Sequence, residues 1–514
     1  MTTVYIDQHD AVFCKIKCSE SGVLAEIKDH FSYEIENAKY HPLVRIKKWD
    51  GIISLLNMST RTLYNGLIPH LEQFCSDRQY EVQTSFKNSN SVDLDEVRAY
   101  VESLNVSNGD GEPMKARDYQ VASVFDMIKH KRILLQSPTS SGKSLLLYVL
   151  IRWLLDNDQN VLLVVPNVSL INQMFSDFKD YSKLNGWDVD SFMHKVQAGT
   201  DKSNKEKQFT LSTWQSIAKL DQEYFAKFDA VIMDEAHTCT ANSLKSIMEK
   251  CTNAWYRIGV TGTIDVRGQK LKTNKLVLQG LFGFIKQVVT TKELMDAGSV
   301  ANLKIKVLNL KYDLDHRKLY TEYVKKTFKK KDKQKEYAFE ITSLTENKNR
   351  NLFIAKLAIS QTKNTLILTR YVENHAIPLH KLITSMANKD RPIYLITGDI
   401  KGEERERIRK ICESDKDAII VASSQTMSTG VSIKNLHNYI SASPSKSVVQ
   451  VLQSIGRLLR TTKDKSEAIM YDIADDISLN GKHNYAKLHM LERLEIYDNE
   501  QFSYKVLDIP FKAN

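Results

Sequence analysis

Cysteine is scarce in this chain: six in 514 residues, at Cys14, Cys18, Cys75, Cys239, Cys251 and Cys412. Cys14 and Cys18 lie close together, but no second Cys/His pair follows at zinc-ligand spacing. That argues against a disulfide scaffold and a zinc module, and leaves reduced thiols as the expectation. Proline (nine) and glycine (nineteen) are too few for a low-complexity or collagen-like chain. No apolar run approaches the roughly 18 residues needed to span a bilayer. The opening Met1-Thr2-Thr3-Val4-Tyr5 lacks the basic and apolar regions of a secretory leader. A cytoplasmic protein is expected.

What is present is an ordinary globular balance, 42% hydrophobic and 26% charged, enough apolar content for several packed cores. The length suggests roughly three domains. Net charge is +10, with a pI near 9.0. Such an excess suits a polyanionic partner, because Lys and Arg on phosphates release counterions. Plain solubility is the alternative. The densest basic run, Lys325 to Lys335, is by default a solvated helix face and also a candidate backbone contact.

Five regions follow. Residues 1–105 mix strand-like alternation (Val12 to Ile16) with turn signals such as Trp49-Asp50-Gly51, and form a small α+β domain with possible DNA contact. The polar stretch Asn105 to Pro113 has the composition of a linker. In 114–300, apolar runs (Val161 to Val165, Ala230 to Met233, Ile258 to Thr261) alternate with helical patterns, which implies a parallel sheet covered on both faces. Residues 301–344 are a basic connecting segment. The alternation returns in 345–476 (Thr365 to Leu368, Ile393 to Ile396, Ala418 to Ala422, Ala468 to Tyr471). Residues 477–514 are a mixed, polar C-terminal extension with no legible pattern.

The chemistry begins at Ser137-Pro138-Thr139-Ser140-Ser141-Gly142-Lys143-Ser144. It sits between an apolar run, Arg132 to Leu135, and an apolar helical stretch, Leu145 to Leu155. Strand, small-residue turn and helix start are the setting of a phosphate cradle. Loop amides and the helix N-terminus face an anion, Lys143 reaches the β/γ-phosphates, and Ser144 holds Mg²⁺. Ser137 stands where the common pattern has glycine. Ninety residues on, Val231-Ile232-Met233 runs directly into Asp234-Glu235-Ala236-His237. This places two carboxylates at the carboxyl end of a buried strand, the edge where α/β sheets bind ligands. Asp234 suits Mg²⁺, and Glu235 suits activation of the attacking water. A solvated acidic turn is the plain alternative. His237 either couples the nucleotide to the next strand or is an ordinary polar residue. Upstream, the Gln120 amide has the donor and acceptor needed for an adenine edge.

The second α/β region has no phosphate loop. It carries Gln453 to Arg460, in which Arg457 and Arg460 lie three apart and share one side of a helix or tight turn. Permanently charged forks suit a γ-phosphate in its transition state. A basic helix end is the bland reading. A region without its own cradle has a purpose if it supplies these arginines.

In order, Arg117-Asp118-Tyr119-Gln120, Ser137 to Ser144, Asp234 to His237, Thr261-Gly262-Thr263, Ser428 to Ser432 and Gln453 to Arg460 resemble a superfamily 2 helicase of the DExH type. The likeness spans about residues 115–475. Trp49-Asp50-Gly51, Thr213-Trp214-Gln215 and Gln450 to Arg460 make it most similar to the phage UvsW-type helicases. The resemblance implies an α/β protein of two tandem RecA-like parallel-sheet lobes. It implies ATP and Mg²⁺ as cofactors, with Gln120 on adenine and Thr139, Ser140, Ser141, Gly142, Lys143 and Ser144 on phosphate and metal. Asp234 and Glu235 bind metal and activate water, and Gly430 lies near the nucleotide. His237, Thr261, Thr263 and Gln453 couple hydrolysis to movement, and Arg457 and Arg460 are the arginine fingers. Nucleic-acid contacts fall to Pro166, Ser212, Thr213, Thr369, Arg370 and Gly398. The implied partner is branched DNA (forks, Holliday junctions, R-loops), and the implied site of action is the host cytoplasm if the gene is a phage's. An RNA remodeller of the same fold, the motor of a restriction-type complex and a passive nucleotide switch stay open. Intact carboxylates and paired arginines count against the switch.

Overall fold

β1 (Thr3–Gln8) and β2 (Phe13–Cys18) alternate buried and outward side chains, with Val4, Ile6, Cys14 and Ile16 facing in. That is the pattern of a sheet packed on one face. β3 (Ser32–Glu34) and β4 (Ile52–Ser54) pair as a short antiparallel ribbon. β5 (Thr62–Tyr64) and β6 (Glu81–Thr84) complete a mixed sheet in the order β5-β2-β1-β6. The computed structural model describes residues 2–35, 38–86, 92–202, 207–264, 269–328, 332–397, 414–424, 435–444, 447–461 and 465–513, with Arg407 and Ile411. The chain divides into two compact units. One is Met1–Ser137 with Gly142–Val289, and the other is Thr290–Asn514 with Pro138–Ser141.

In the first unit seven strands form one parallel sheet: β7 (Arg132–Gln136), β8 (Val161–Val165), β9 (Met193–Val196), β10 (Phe209–Thr213), β11 (Ala230–Asp234), β12 (Tyr256–Thr261) and β13 (Phe284–Gln287). Their order is β13-β7-β12-β11-β8-β10-β9. β8 and β10 are buried at every residue, as an interior strand covered on both faces requires. The N-terminal sheet is fastened to this lobe. Ala11 N donates to Thr252 O at 2.8 Å, Arg132 Nη2 donates to Ala11 O at 2.6 Å, and the Tyr64 hydroxyl donates to Glu249. Gly66 lies so close to Gln279 and Gly280 that an added Cβ would stand 2.1 Å from the Gln279 carbonyl oxygen. One apolar core, running from Val4 to Phe282, spans both parts.

The second unit holds another parallel sheet of seven: β14 (Asn302–Tyr312), β15 (Thr365–Thr369), β16 (Ile393–Ile396), β17 (Ile419–Ser423), β18 (Asn438–Ser441), β19 (Glu467–Asp476) and β20 (Tyr504–Phe511). The order is β16-β17-β15-β18-β19-β14-β20. The molecule is thus α/β, with two tandem parallel-sheet lobes and a small α+β N-terminal domain.

Three stretches differ from the sequence reading in ways the contacts explain. Residues 302–312, within the basic connecting segment, are strand β14, whose buried positions Leu303, Ile305 and Val307 alternate with lysines. The polar 477–514 extension supplies the helix Tyr485–Asn499 and the edge strand β20. The linker-like 105–113 is a docked turn. Asn108 Oδ1 accepts from Asp110 N at 3.0 Å and Glu112 N at 2.9 Å, and the Ser107 hydroxyl donates to Asp180 O at 2.6 Å. Its polarity serves local hydrogen bonding rather than freedom.

Two buried ion pairs tie helices to β19. Arg350 donates to both oxygens of Asp475, at 2.8 and 3.0 Å, and Arg493 Nε donates to Asp472 at 2.8 Å. Tyr312 and Tyr497 add hydroxyl bonds to the same two carboxylates. Among the described residues the cysteines are unpaired, and no helix is long and apolar enough to cross a membrane.

Candidate nucleotide site and strand-contact positions

β7 delivers the chain to the loop 137–142, and the helix Lys143–Asp156 leaves it. Two residues in the loop take left-handed backbone angles, Ser140 at φ 70° and Gly142 at φ 85°. Such left-handed residues bend the chain back on itself, and Ser141 N closes the turn by donating to Pro138 O at 3.3 Å. Glycine is required at 142 for a second reason: a Cβ there would fall 2.3 Å from the Gln120 amide nitrogen. Gln120 itself is buried and accepts from Arg117 N at 2.9 Å, so the adenine candidate and the phosphate loop are neighbours. The Ser140 hydroxyl is buried without a hydrogen-bond partner. Lys143 Nζ donates to Ser137 O at 3.0 Å, and the Ser144 hydroxyl lies 2.8 Å from that of Tyr181. An orphaned hydroxyl and an ammonium beside a helix N-terminus fit a nucleotide's phosphates.

Next to this loop stand the ends of β12 and β11. Ser137 N donates to Thr261 O at 2.8 Å. Desolvation and the adjacent Glu235 push the Asp234 carboxyl up to about 7, against the pull of Lys143. Burial pushes Glu235 up as well, but the hydrogen bond from His237 and the Lys143 charge outweigh it and hold that carboxyl below its usual range. Two adjacent carboxylates in such different states are poised for different tasks. Among the described residues no cluster of three or more His, Cys, Asp or Glu side chains offers a protein-only metal cage. The Asp234 carboxyl and the Ser144 hydroxyl are oxygen donors of the kind that suits Mg²⁺.

Glu235 adopts φ 52°, which turns the chain sharply into Ala236–Thr240. That turn carries His237 back over the sheet. His237 Nδ1 lies 2.8 Å from Thr261 Oγ1 and 3.3 Å from Glu235 Oε2. Thr261 Oγ1 in turn donates to Thr263 O at 3.1 Å. The structure thus brings Glu235, His237, Thr261 and Thr263 into one polar network. Tyr181, the Ser144 partner, left no sequence signal, being one aromatic residue at the end of an amphipathic helix.

The other positions divide into engaged and accessible groups. Pro166 O accepts from Gln215 Nε2 at 3.3 Å. Ser212 is fully buried, its hydroxyl bonded to Val196 O and Thr213 O, and Thr213 pairs with Ser216 at 2.8 Å. Thr369 is buried against Ala422 O. Those hydroxyls serve the lobes' own carbonyls and neighbours. Arg370 is exposed, with its Nη1 on the Tyr337 hydroxyl at 3.2 Å. Gln453 and Arg457 lie on the helix Val448–Leu458, and Arg460 follows its end. That end is held by the buried Lys465, whose ammonium donates to Leu458 O and, at 2.8 Å, to Arg460 O. Burial and the Arg460 charge push Lys465 down to about 7. Sequence reading missed Lys465. Gly398 and Gly430, with the motif Ser428 to Ser432, lie outside the described residues.

Comparison with known proteins covers the chain nearly end to end. Residues 4–85 match the family "DNA helicase UvsW, N-terminal", residues 113–266 match "Type III restriction enzyme, res subunit", and residues 347–462 match "Helicase conserved C-terminal domain". The chain is 31% identical to the ATP-dependent DNA helicase uvsW of Enterobacteria phage T4, over 96% of this chain and 97% of that one. It is 26% identical to the DNA 3'-5' translocase XPB2 of Sulfurisphaera tokodaii, over 70% of this chain and 82% of that one. The crystal structure of T4 UvsW superposes with a TM-score of 0.51 at 29% identity, covering both chains completely. The phosphate loop and carboxylate pair, the conserved C-terminal lobe and the distinctive N-terminal domain converge: this chain belongs to the UvsW family of superfamily 2 DExH helicases.

Proposed function

We propose that this protein is an ATP-dependent DNA helicase that remodels branched DNA: forks, Holliday junctions and R-loops. The observation that carries the reading is the match of residues 4–85 to the N-terminal domain of UvsW helicases. Motor lobes alone are shared by proteins of many kinds, whereas this domain accompanies a named DNA helicase. It is fastened to the first lobe, so whatever it grips moves with the ATP site. The restriction-enzyme description covers 113–266 alone, and so supports a motor and no cutting step. The host cytoplasm is the corresponding site of action.

In this reading Gln120 takes the adenine edge, and the loop Thr139 to Ser144 cradles the phosphates. Ser144 and Asp234 hold Mg²⁺, which neutralises charge between the phosphates when bound. Glu235, the carboxylate held ionised, orients and deprotonates the water. His237, Thr261 and Thr263 relay the loss of the γ-phosphate contact to the next strand, and Gln453 serves the same coupling in the second lobe. Arg457 and Arg460 supply positive charge to the transition state. Arg370 grips phosphates, and Pro166, Ser212, Thr213 and Thr369 shape the track, with no sequence readout.

The test is ATP turnover and strand separation on a matched panel: single strand, duplex, fork, four-way junction and RNA–DNA hybrid. Forks and junctions are expected to stimulate turnover most. Lys143→Ala is expected to lower turnover by about 100-fold or more while DNA affinity changes little. No stimulation by any nucleic acid would end the motor reading. Stimulation by RNA alone would replace DNA with RNA as the substrate.

A further inference from the structure

The helix Leu314–Thr327 and the helix Lys333–Glu346 lie between β14 and β15 and are needed by neither strand pairing. No residue of the first helix is buried. Apolar and aromatic residues nonetheless recur along it at helical spacing: His316, Leu319, Tyr320 and Tyr323, followed by Lys326. These line a cavity of about 480 Å³ floored by Phe339, a volume within the ~300–1,000 Å³ range of ligand pockets. Three rings pack on Phe339. Tyr320 stacks on it at 6.0 Å and 18°, and Tyr323 at 4.8 Å and 21°. The third, Phe328, is tilted at 5.9 Å and 55°. Tyr323 is 51% exposed and Leu319 63% exposed, so the outer side of the stack is open to water.

The surroundings are basic. Among the described residues, 314–328 and 332–335 contain six Lys and Arg against three Asp and Glu. Lys326 lines the cavity, as does Glu322. The platform is also rigidly seated. Glu340, on the second helix, is buried and accepts from Asn484 Nδ2, Tyr485 N, Ala486 N and the Tyr320 hydroxyl. Tyr337 on the same helix accepts from Arg370, the strand-contact candidate at the end of β15. Exposed stacked aromatics with lysines around them are what single-stranded nucleic acid uses: every base has a π-face, and every linkage carries a charge.

We propose that the Tyr320–Phe339–Tyr323 stack is a base-stacking site for an unpaired nucleic-acid strand. A base lies on the Tyr323 ring, and Lys325 and Lys326 meet the flanking phosphates. The strand is DNA if the motor reading holds, and the proposal rests on that reading only for this choice.

The probe is a single-stranded DNA oligonucleotide carrying one 2-aminopurine, titrated with the full chain and compared with a duplex of the same length. Wild-type protein is expected to quench the fluorescent base. Tyr323→Ala is expected to weaken single-strand binding about 5- to 100-fold, with duplex binding and nucleic-acid-free ATP turnover unchanged. Tyr323→Phe is expected to behave as wild type. The pair Lys325→Glu with Lys326→Glu is expected to flatten the salt dependence of single-strand binding. Unaltered quenching in Tyr323→Ala, or equal losses on single strand and duplex, would overturn the stacking site. Wild-type protein that quenches through Tyr323 but shows no nucleic-acid-stimulated turnover would sink the motor reading and leave the site standing.

Discussion

The two parallel sheets each bring carboxylates to one strand, and treat them in opposite ways. β11 ends in Asp234, followed by Glu235, and the two buried carboxyls share the nearby charge of Lys143. β19 carries Asp472, Asp475 and Asp476, and each has a basic partner in Arg493, Arg350 or Lys487. Where the charges are paired, the carboxylates hold helices onto the sheet. Where they are crowded, burial and the neighbouring carboxylate make the charged form of Asp234 costly. Substitutions in the two places should therefore move stability in opposite directions.

The largest effect is expected in the second sheet. Arg350→Met leaves Asp475 buried without its fork, at a cost of about 3–5 kcal/mol. Chemical denaturation would measure it, and a loss under 1 kcal/mol would mean that the pair is not the clamp described. In the first sheet the sign reverses. The folded Asp234 value near 7 lies above its unfolded one. The native state is thus favoured while the proton is present, and loses ground as pH rises through about 7. Asp234→Asn removes that burden, so at pH 8 the variant should be more stable by about 1–3 kcal/mol. The gain should vanish near pH 4, and ATP turnover should be lost. A variant no more stable at pH 8 than at pH 4 would break the comparison. The smallest effect concerns Lys465. Its folded value, near 7, is depressed, so wild-type stability should climb between pH 7 and 9, by at most about 1.4 kcal/mol per unit. Lys465→Met should flatten that slope. A parallel slope in both proteins would assign it to other groups.

Much of this was legible beforehand, for a physical reason. Interior strands of a parallel sheet are continuous apolar runs, so Val161 to Val165 and Ala230 to Met233 announced themselves. A phosphate loop needs small residues, a lysine and a hydroxyl in fixed order, so Gly142, Lys143 and Ser144 did too. Strand β14 was hidden because it interleaves lysines with its buried residues, as a basic segment also does. Lys465, Arg350 and Tyr181 were hidden because their partners lie far away in sequence or on main-chain carbonyls, which no side-chain pattern records. The 105–113 turn misled because hydrogen-bonding loop residues have the same composition as free ones.

The register of β14 has a consequence for how the protein is made. Asn302 pairs with Glu467 and Ile305 with Tyr504. The first lobe, by contrast, has all seven of its strands by Gln287. On the ribosome the nucleotide-binding half can therefore close while the second half is still unfinished. β14 leaves the exit tunnel early and must wait, unpaired, for most of the remaining chain. The lysines that disguise it in the sequence also keep that waiting strand from joining the wrong neighbour.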